Sequence, residues 1–308
     1  MSRIVAGVLL GILIFLTGIR TMTLGLRAVA GPKLRWALRR FTANPAMGLI
    51  TGAIMTAITQ SSSATAAAAV GLVDAGLLTL EQALGIILGA NIGTTLTVQL
   101  ISFRWGNAAP LAICLGALAV VLGGNTIWRR VGYIVTGAGG LLWGIDLVAL
   151  ALGPLTQLPH LTRLILRWEK NPYSGILAGI TLTAVFQSSS ATIGVTMALA
   201  EEGLVGLSGG MAVVLGSNIG TVLTTLLASL GTAEEARQTA VADLLFNMLG
   251  VLMVLPLFTS LLQLLQASST DVIHQLANGH TLFNLGTALV ALPGVSYLAR
   301  LVRRLVPT

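Results

Sequence analysis

The chain alternates between long apolar stretches and short polar or basic segments over its whole length. The apolar residues follow one another without the alternation of a barrel strand, so the pattern predicts α-helices. About 20 apolar residues cross the hydrocarbon core of a bilayer as a helix. By that measure the sequence predicts about seven membrane-spanning helices, at residues 4–26, 80–103, 108–127, 131–152, 205–230, 238–262 and 281–299.

Each half of the chain also contains two apolar stretches that are too short to cross a bilayer alone. In both halves the two stretches flank a polar loop. We therefore predict a re-entrant helical hairpin at residues 45–75 and another at residues 172–202. The polar segments that precede the hairpins, 27–42 and 153–171, are placed at the membrane surface.

The second half of the sequence repeats the first at a constant interval of 127 residues, which is the difference between positions 187 and 60 of the two motif glutamines. Gln-Ser-Ser-Ser-Ala-Thr occurs at 60–65 and again at 187–192, and Gly-x-Asn-Ile-Gly-Thr occurs at 89–94 and at 216–221. The spacing between the two motifs is the same in both copies, with no insertion in either. Such a fixed period identifies an internal duplication.

The number of predicted crossings in one copy determines how the copies are related. The first copy covers residues 1–127, the second covers residues 128–262, and residues 263–308 add one more span. A copy with three crossings ends on the opposite face of the membrane, so the second copy must be inverted. The expected fold is therefore an all-α polytopic membrane protein with two inverted repeats and two re-entrant hairpins.

Composition supports a membrane protein and argues against a nucleic-acid partner. The 308 residues are 55% hydrophobic and 9% charged, whereas a soluble domain carries about 25% charged residues. The net charge is +7, but the basic residues lie in short loops, where they act as topology signals. Eleven of them fall on one predicted side and five on the other. This bias predicts a cell (inner) membrane protein with its N-terminus outside and its C-terminus in the cytoplasm.

The two polar loops predict a binding site near the middle of the membrane. Polar backbone that is not helical survives at that depth only where it is buried in protein or lines a cavity. Hairpins of inverted copies enter from opposite faces, so their tips can meet. Serine hydroxyls and free N–H groups at a helix start attract anions, and hydroxyl or amide oxygens bind hard cations. Helix breaks expected near 91–94 and 218–221 would add free carbonyl oxygens.

At these motifs the sequence resembles the type II sodium-dependent phosphate cotransporters and their bacterial relatives. That family carries two Gln-Ser-Ser-Ser motifs, each followed by Gly-x-Asn-Ile-Gly-Thr, and the resemblance covers nearly the whole chain. It implies secondary active symport of phosphate with Na⁺ by alternating access, with no other cofactor. The implied phosphate ligands are Ser61, Ser62, Ser63, Ser188, Ser189 and Ser190. The implied sodium ligands are Gln60, Thr65, Asn91, Thr94, Thr95, Gln187, Thr192, Asn218 and Thr221.

One departure from the family concerns the late spans, where members often carry His-x-x-Phe-Asn. The pattern is kept at 280–284, but Asp243 stands where the first residue of a second such motif would be His. Asp243 could alter charge movement or proton dependence, or it could lie at the wet end of its span, and we expect the wet end.

Other functions remain open at this stage. A hydroxyl-rich site suits any tetrahedral oxyanion, so a sodium- or proton-coupled carrier of sulfate or arsenate is an alternative, and the resemblance alone selects phosphate. An ion channel is a weaker alternative, because channels usually form their pores by oligomeric symmetry. An enzyme that uses a loop serine would need a base, and none stands near in sequence. A homodimer is compatible with all these readings.

Overall fold

The computed structural model describes residues 2–30, 44–103, 106, 108–154 and 159–306, and its regular elements there are helices. The first copy contains α1 (Ser2–Ala30), α2 (Pro45–Thr59), α3 (Ser62–Asp74), α4 (Leu80–Ser102) and α5 (Ala108–Leu122). The second contains α6 (Ile127–Leu152), α7 (Pro159–Lys170), α8 (Pro172–Phe186), α9 (Ser189–Glu201), α10 (Leu207–Ala228) and α11 (Glu234–Val254). Three helices follow: α12 (Phe258–Ser268), α13 (Val272–Ala291) and α14 (Val295–Leu305). The all-α prediction is confirmed.

In the described part of the chain, six helical stretches are long and apolar enough to cross a membrane. They are α1, α4, α6, α10, α11 continued by α12, and α13 continued by α14. The predicted span at 108–127 is shorter than expected, because α5 has 15 residues. Such a helix is about 22 Å long, less than the roughly 30 Å hydrocarbon core. It ends before Gly124, whose φ of 53° turns the chain away from helical geometry.

Two proline-containing turns shift the C-terminal elements away from their predicted positions. The last span was expected at 281–299, but α13 begins nine residues earlier, at Val272. Short 3₁₀ turns at Leu255–Leu257 and Leu292–Gly294 separate α11 from α12 and α13 from α14. Proline lacks the N–H that would continue an α-helix, which explains both interruptions. The predicted end of the second copy, residue 262, lies inside α12.

The two predicted surface segments differ in what the structure describes. Of 27–42, the first four residues belong to α1, and the others lie outside the described residues. The segment 153–171 contains the amphipathic helix α7. Glu169 anchors α7, because its Oε2 accepts the N–H groups of Gly206 (3.2 Å) and Gly209 (2.8 Å) at the start of α10.

The two copies of the first helix, α1 and α6, pack against each other in opposite directions. Near the start of α1, Gly7 lies against Ala151 at the end of α6, and near its end Gly25 lies against Ile134 at the beginning of α6. As the residue number increases along α1, the number of the residue that it contacts in α6 decreases, so the two helices are antiparallel. Because α1 and α6 are corresponding helices of the duplication, their antiparallel packing relates the copies by inversion.

Glycines bring α2 onto α4, and α8 onto α10, in the same way in both copies. Gly89 lies against the carbonyl oxygen of Leu49, and Gly216 lies against that of Ile176. The two contacts are made by corresponding residues of the duplication. A Cβ atom at either glycine would overlap the facing carbonyl group. The duplication therefore extends from sequence to backbone packing, as small residues at membrane helix interfaces allow.

The core lies where the two copies meet, and apolar side chains also cover the outer surface. Phe15 of α1, Ile193 of α9 and Met211 of α10 are almost fully buried in one cluster. On the outside, Leu9 is 62% exposed and Val121 is 78% exposed. Apolar surface of this extent suits contact with lipid.

Substitution of Gly89 by Ala should destabilise the protein. The added methyl group would overlap the Leu49 carbonyl, so α2 and α4 would have to separate. Overpacking of this kind costs about 1–3 kcal/mol. The midpoint of thermal unfolding in detergent should fall for Gly89→Ala, whereas Gly71→Ala, which has no atom within 4 Å of the added Cβ, should not lower it. Equal midpoints would contradict the close approach.

Candidate functional site

Each hairpin turns between its two helices within a few residues. Asn44 and Asn171 cap the first helices, because their Oδ1 atoms accept the N–H groups of Met47 (2.9 Å) and Tyr173 (3.0 Å). A proline follows each cap, where a missing N–H costs nothing. Two residues separate the end of the first helix from the start of the second in each hairpin.

The turn residue in both hairpins is a glutamine in the left-handed conformation. Gln60 and Gln187 each have φ of 53° and are the only residues other than glycine with positive φ in the described part of the chain. Backbone outliers of this type cost about 1–3 kcal/mol and persist only where the surroundings impose them. Each glutamine N–H still bonds to the helix that it ends, at Thr56 and Thr183.

The glutamine side chains tie the turns to the long helices. Thr97 of α4 donates to Gln60 Oε1 over 2.5 Å, and Thr224 of α10 donates to Gln187 Oε1 over 2.8 Å. The amide nitrogens donate to carbonyl oxygens of the preceding helices. Both polar ends of each amide are thus engaged within the protein, and an amide oxygen keeps one lone pair for a further partner.

The three serines of each loop fall into two groups. Ser61 and Ser188 are N-caps, whose Oγ atoms accept the N–H groups of Ala64 (3.1 Å) and Ala191 (3.2 Å). The next two serines of each loop are buried, and their hydroxyls form no hydrogen bond with any residue that the structure describes: Ser62, Ser63, Ser189 and Ser190. The first N–H groups of α3 and α9 also lack helical partners. Hydroxyl and N–H donors are therefore available at both helix starts.

The threonines predicted as sodium ligands in the loops hold the hairpins closed. Thr56 donates to Thr65 over 2.9 Å between α2 and α3, and Thr183 donates to Thr192 over 2.8 Å between α8 and α9. Thr65 and Thr192 are also fully or almost fully buried. Their hydroxyls are used for structure in this conformation.

The predicted helix breaks near 91–94 and 218–221 are wrong. Both α4 and α10 are continuous through these motifs, so they expose no free carbonyl oxygens there. The motif glycines serve close packing instead: Gly93 lies against Ala53, and Gly220 lies against Ile180.

The polar residues of these motifs bond mostly to their own helices. The threonine hydroxyls donate to carbonyl oxygens three or four residues before them, at Thr94, Thr95 and Thr221. Asn218 donates to Val214 in the same way. Asn91 instead donates to Asn247 of α11 over 3.2 Å. No hydrogen bond joins any of them to the loop serines among the described residues.

Asp243 lies in a different place from the one expected. It is 4% exposed, so the prediction of a wet end is wrong. The carboxyl group accepts Asn247 Nδ2 over 2.9 Å. Helix α11 packs against α3, α4 and α10, and these contacts cover the aspartate.

Each loop is supported by both copies of the duplication. Helix α3 of the first copy packs against α10 of the second, and α9 of the second copy packs against α4 of the first. Sequence reasoning missed the anchoring threonines at 56, 97, 183 and 224. Each of them recurs as threonine at the corresponding position of the other copy, and this was the signal that could have identified them.

Comparison with known proteins agrees with this duplicated arrangement. The model of the Na⁺/Pi-cotransporter family matches the chain twice, at residues 14–150 and 141–296. The chain belongs to the Na⁺/Pi-cotransporter family. Its two matches confirm the resemblance and the repeat, and with the spans they identify an integral membrane protein that belongs to a phosphate transport family.

Three relatives illustrate the similarity of this chain to other proteins. The uncharacterized protein YqeW of Bacillus subtilis is 35% identical over 296 residues, which are 96% of each chain. The putative inorganic phosphate export protein YjbB of Salmonella typhimurium is 27% identical over 94% of this chain and 53% of its own length. The chain thus spans about half of that relative. Sodium-dependent phosphate transport protein 2A of Ovis aries is 34% identical over 28% of this chain and 15% of its own. No solved structure matches.

Removal of the threonine anchors should impair transport. Thr97→Val and Thr224→Val each delete the hydrogen bond to a strained glutamine, at a cost of about 1 kcal/mol. We expect slower phosphate transport in proteoliposomes for both variants. Thr181→Val is the matched control, because its exposed hydroxyl bonds only to Leu177 of its own helix. Transport at the wild-type rate in Thr97→Val and Thr224→Val would show that the glutamines need no such anchor.

Proposed function

We propose that the chain is a secondary active transporter that carries inorganic phosphate across the cell membrane in symport with Na⁺. The supporting observation is the pair of helix starts at which buried serine residues, at 62–63 and 189–190, carry hydroxyls that form no hydrogen bond with any described residue. Hydroxyl and N–H donors at helix N-termini are suited to the oxygens of a phosphate ion. The orientation with the N-terminus outside is part of the same proposal.

The charge of the loops favours a cation that binds together with phosphate. The motif Gln-Ser-Ser-Ser-Ala-Thr has no Lys or Arg in either copy. A helix N-terminus contributes an effective charge of about +0.5, so two of them offset roughly one negative charge. A phosphate dianion would keep the remainder, and its desolvation would be costly. Sodium ions bound beside it would balance this charge, which couples the two solutes.

The inverted relation of the copies provides a route for alternating access. Two copies that pack by inversion can exchange conformations, which exposes a central site first on one face and then on the other. A symporter of this type runs in the direction that the combined gradients set. Uptake and export are therefore functions of the same mechanism, and the word export in the name of YjbB is compatible with it.

Another tetrahedral oxyanion is the second candidate. Serine hydroxyls and backbone N–H groups recognise geometry and negative charge, and arsenate and sulfate share both with phosphate. Competition by each of these anions against radiolabelled phosphate would rank them. A stronger effect of sulfate than of unlabelled phosphate would favour this alternative.

Phosphate uptake into proteoliposomes tests the main proposal. An inward sodium gradient is compared with an equal potassium gradient at the same membrane potential. We expect accumulation of radiolabelled phosphate only with sodium. Equal uptake under both gradients would exclude sodium coupling, and uptake under neither gradient nor a proton gradient would exclude phosphate as the substrate.

Loss of a loop hydroxyl should weaken phosphate binding. Ser63→Ala and Ser190→Ala each delete one donor to a charged ligand, which is worth about 1.5–3 kcal/mol, or roughly a tenfold to hundredfold effect. We expect a corresponding rise in the half-saturating phosphate concentration. Ser260→Ala, in an apolar groove of α12, serves as the control and should behave as wild type. An unchanged half-saturation in both loop variants would remove these serines from the phosphate site.

A further inference from the structure

A second group of buried polar side chains lies where α4 of the first copy meets α10 and α11 of the second. Its members are Asn91, Thr225, Asp243 and Asn247, and the last three are at most 4% exposed. Asn91 donates to Asn247 Oδ1 over 3.2 Å, and Asn247 donates to Asp243 Oδ1 over 2.9 Å. The Thr225 hydroxyl is buried beside the Asp243 carboxyl group, without the geometry of a hydrogen bond to any described residue.

The carboxyl group of Asp243 has no opposite charge beside it. It lies nine residues into α11, about 13 Å along the helix axis. None of the Lys, Arg and His side chains that the structure describes forms an ion pair with it. A carboxylate at such a depth is costly unless its charge is balanced. The Asn247 amide donates one hydrogen bond but leaves the net charge in place, so the group must either hold a bound cation or take up a proton.

The first copy has no such group at the corresponding positions. The residues that correspond to Thr225, Asp243 and Asn247 in the first copy are apolar or glycine. They are Val98, Gly116 and Val120. Threonines that only close the hairpins, such as Thr56 and Thr183, occur in both copies. Three polar residues that occur together in one copy indicate a role beyond holding the shared fold.

We propose that Asp243 and Thr225, with the amide oxygen of Asn247, bind one sodium ion, and that Asn91 positions the Asn247 amide. The inference rests on the proposed function in that this ion is one of those coupled to phosphate. One carboxylate balances one unit of charge, and hydroxyl and amide oxygens are the neutral ligands that hard cations prefer. A divalent ion would leave one charge unbalanced. No group of three or more His, Cys, Asp or Glu residues in the described part of the chain could hold a transition metal.

Equilibrium binding of radiolabelled sodium to the purified protein, without phosphate, tests this site directly. Asp243→Asn keeps the size of the side chain and removes its charge, so the number of sodium ions bound at saturation should fall by one per chain. Thr225→Val introduces the residue that the first copy has at this position, and it should raise the half-saturating sodium concentration about tenfold. Asp74→Asn is the control: Asp74 is an exposed carboxylate that accepts the Ala233 N–H over 2.7 Å, and an asparagine oxygen can accept it too. Its sodium binding should equal that of wild type.

The outcomes separate this inference from the proposed function. Unchanged sodium binding in Asp243→Asn overturns the site, even if phosphate uptake is driven by sodium. Loss of one bound ion supports the site, even if uptake proves independent of sodium. If the wild type binds no sodium, and protons are taken up at Asp243 in its place, the sodium assignment is overturned.

Discussion

Direct backbone contact between helices, made at glycine, is the interaction on which the other features depend. Helices in a membrane gain little from apolar burial against each other, so their association depends on close packing and hydrogen bonds. Glycines in α1 and α6, and in α4 and α10, remove the side chain at the contact. Carbonyl groups of the facing helices then occupy that space. The hairpins keep their positions because α2 and α8 are fixed to the long helices in this way.

Hydrogen bonding within the membrane determines which polar groups remain for a ligand. Nearly every side chain of the two motifs has a protein partner: the glutamines bond to Thr97 and Thr224, and the loop threonines bond across the hairpins. The buried serines after each N-cap are the exception in the described part of the chain. The hydroxyls of these serines are therefore the motif groups that stay available to a ligand, which is the basis of the proposed phosphate site.

The sequence allowed the fold class, the duplication, the hairpins and the family to be predicted, because each leaves a local pattern. Apolar length defines a span, and a constant interval between repeated motifs defines a copy. Contacts between residues that are distant in sequence leave no such pattern. The interpretation of Asn91 and Asn218 as residues at helix breaks failed, since a glycine-flanked motif is equally suited to close packing in a continuous helix. The burial of Asp243 depends on helices distant in sequence, which residue type alone does not indicate.

The loops and the buried aspartate differ in symmetry, and this difference bears on how alike the two halves of a transport cycle are. The serine loops occur in both copies, so inversion presents the same donors to either side of the membrane. Thr225, Asp243 and Asn247 have no polar counterparts in the first copy, which has Gly116 at the position that corresponds to Asp243. If the copies exchange conformations, a site without a counterpart cannot be exposed equally to both sides. A cation bound there would thus make the outward-facing and inward-facing halves of the cycle differ, although the proposed phosphate site is built alike in both copies.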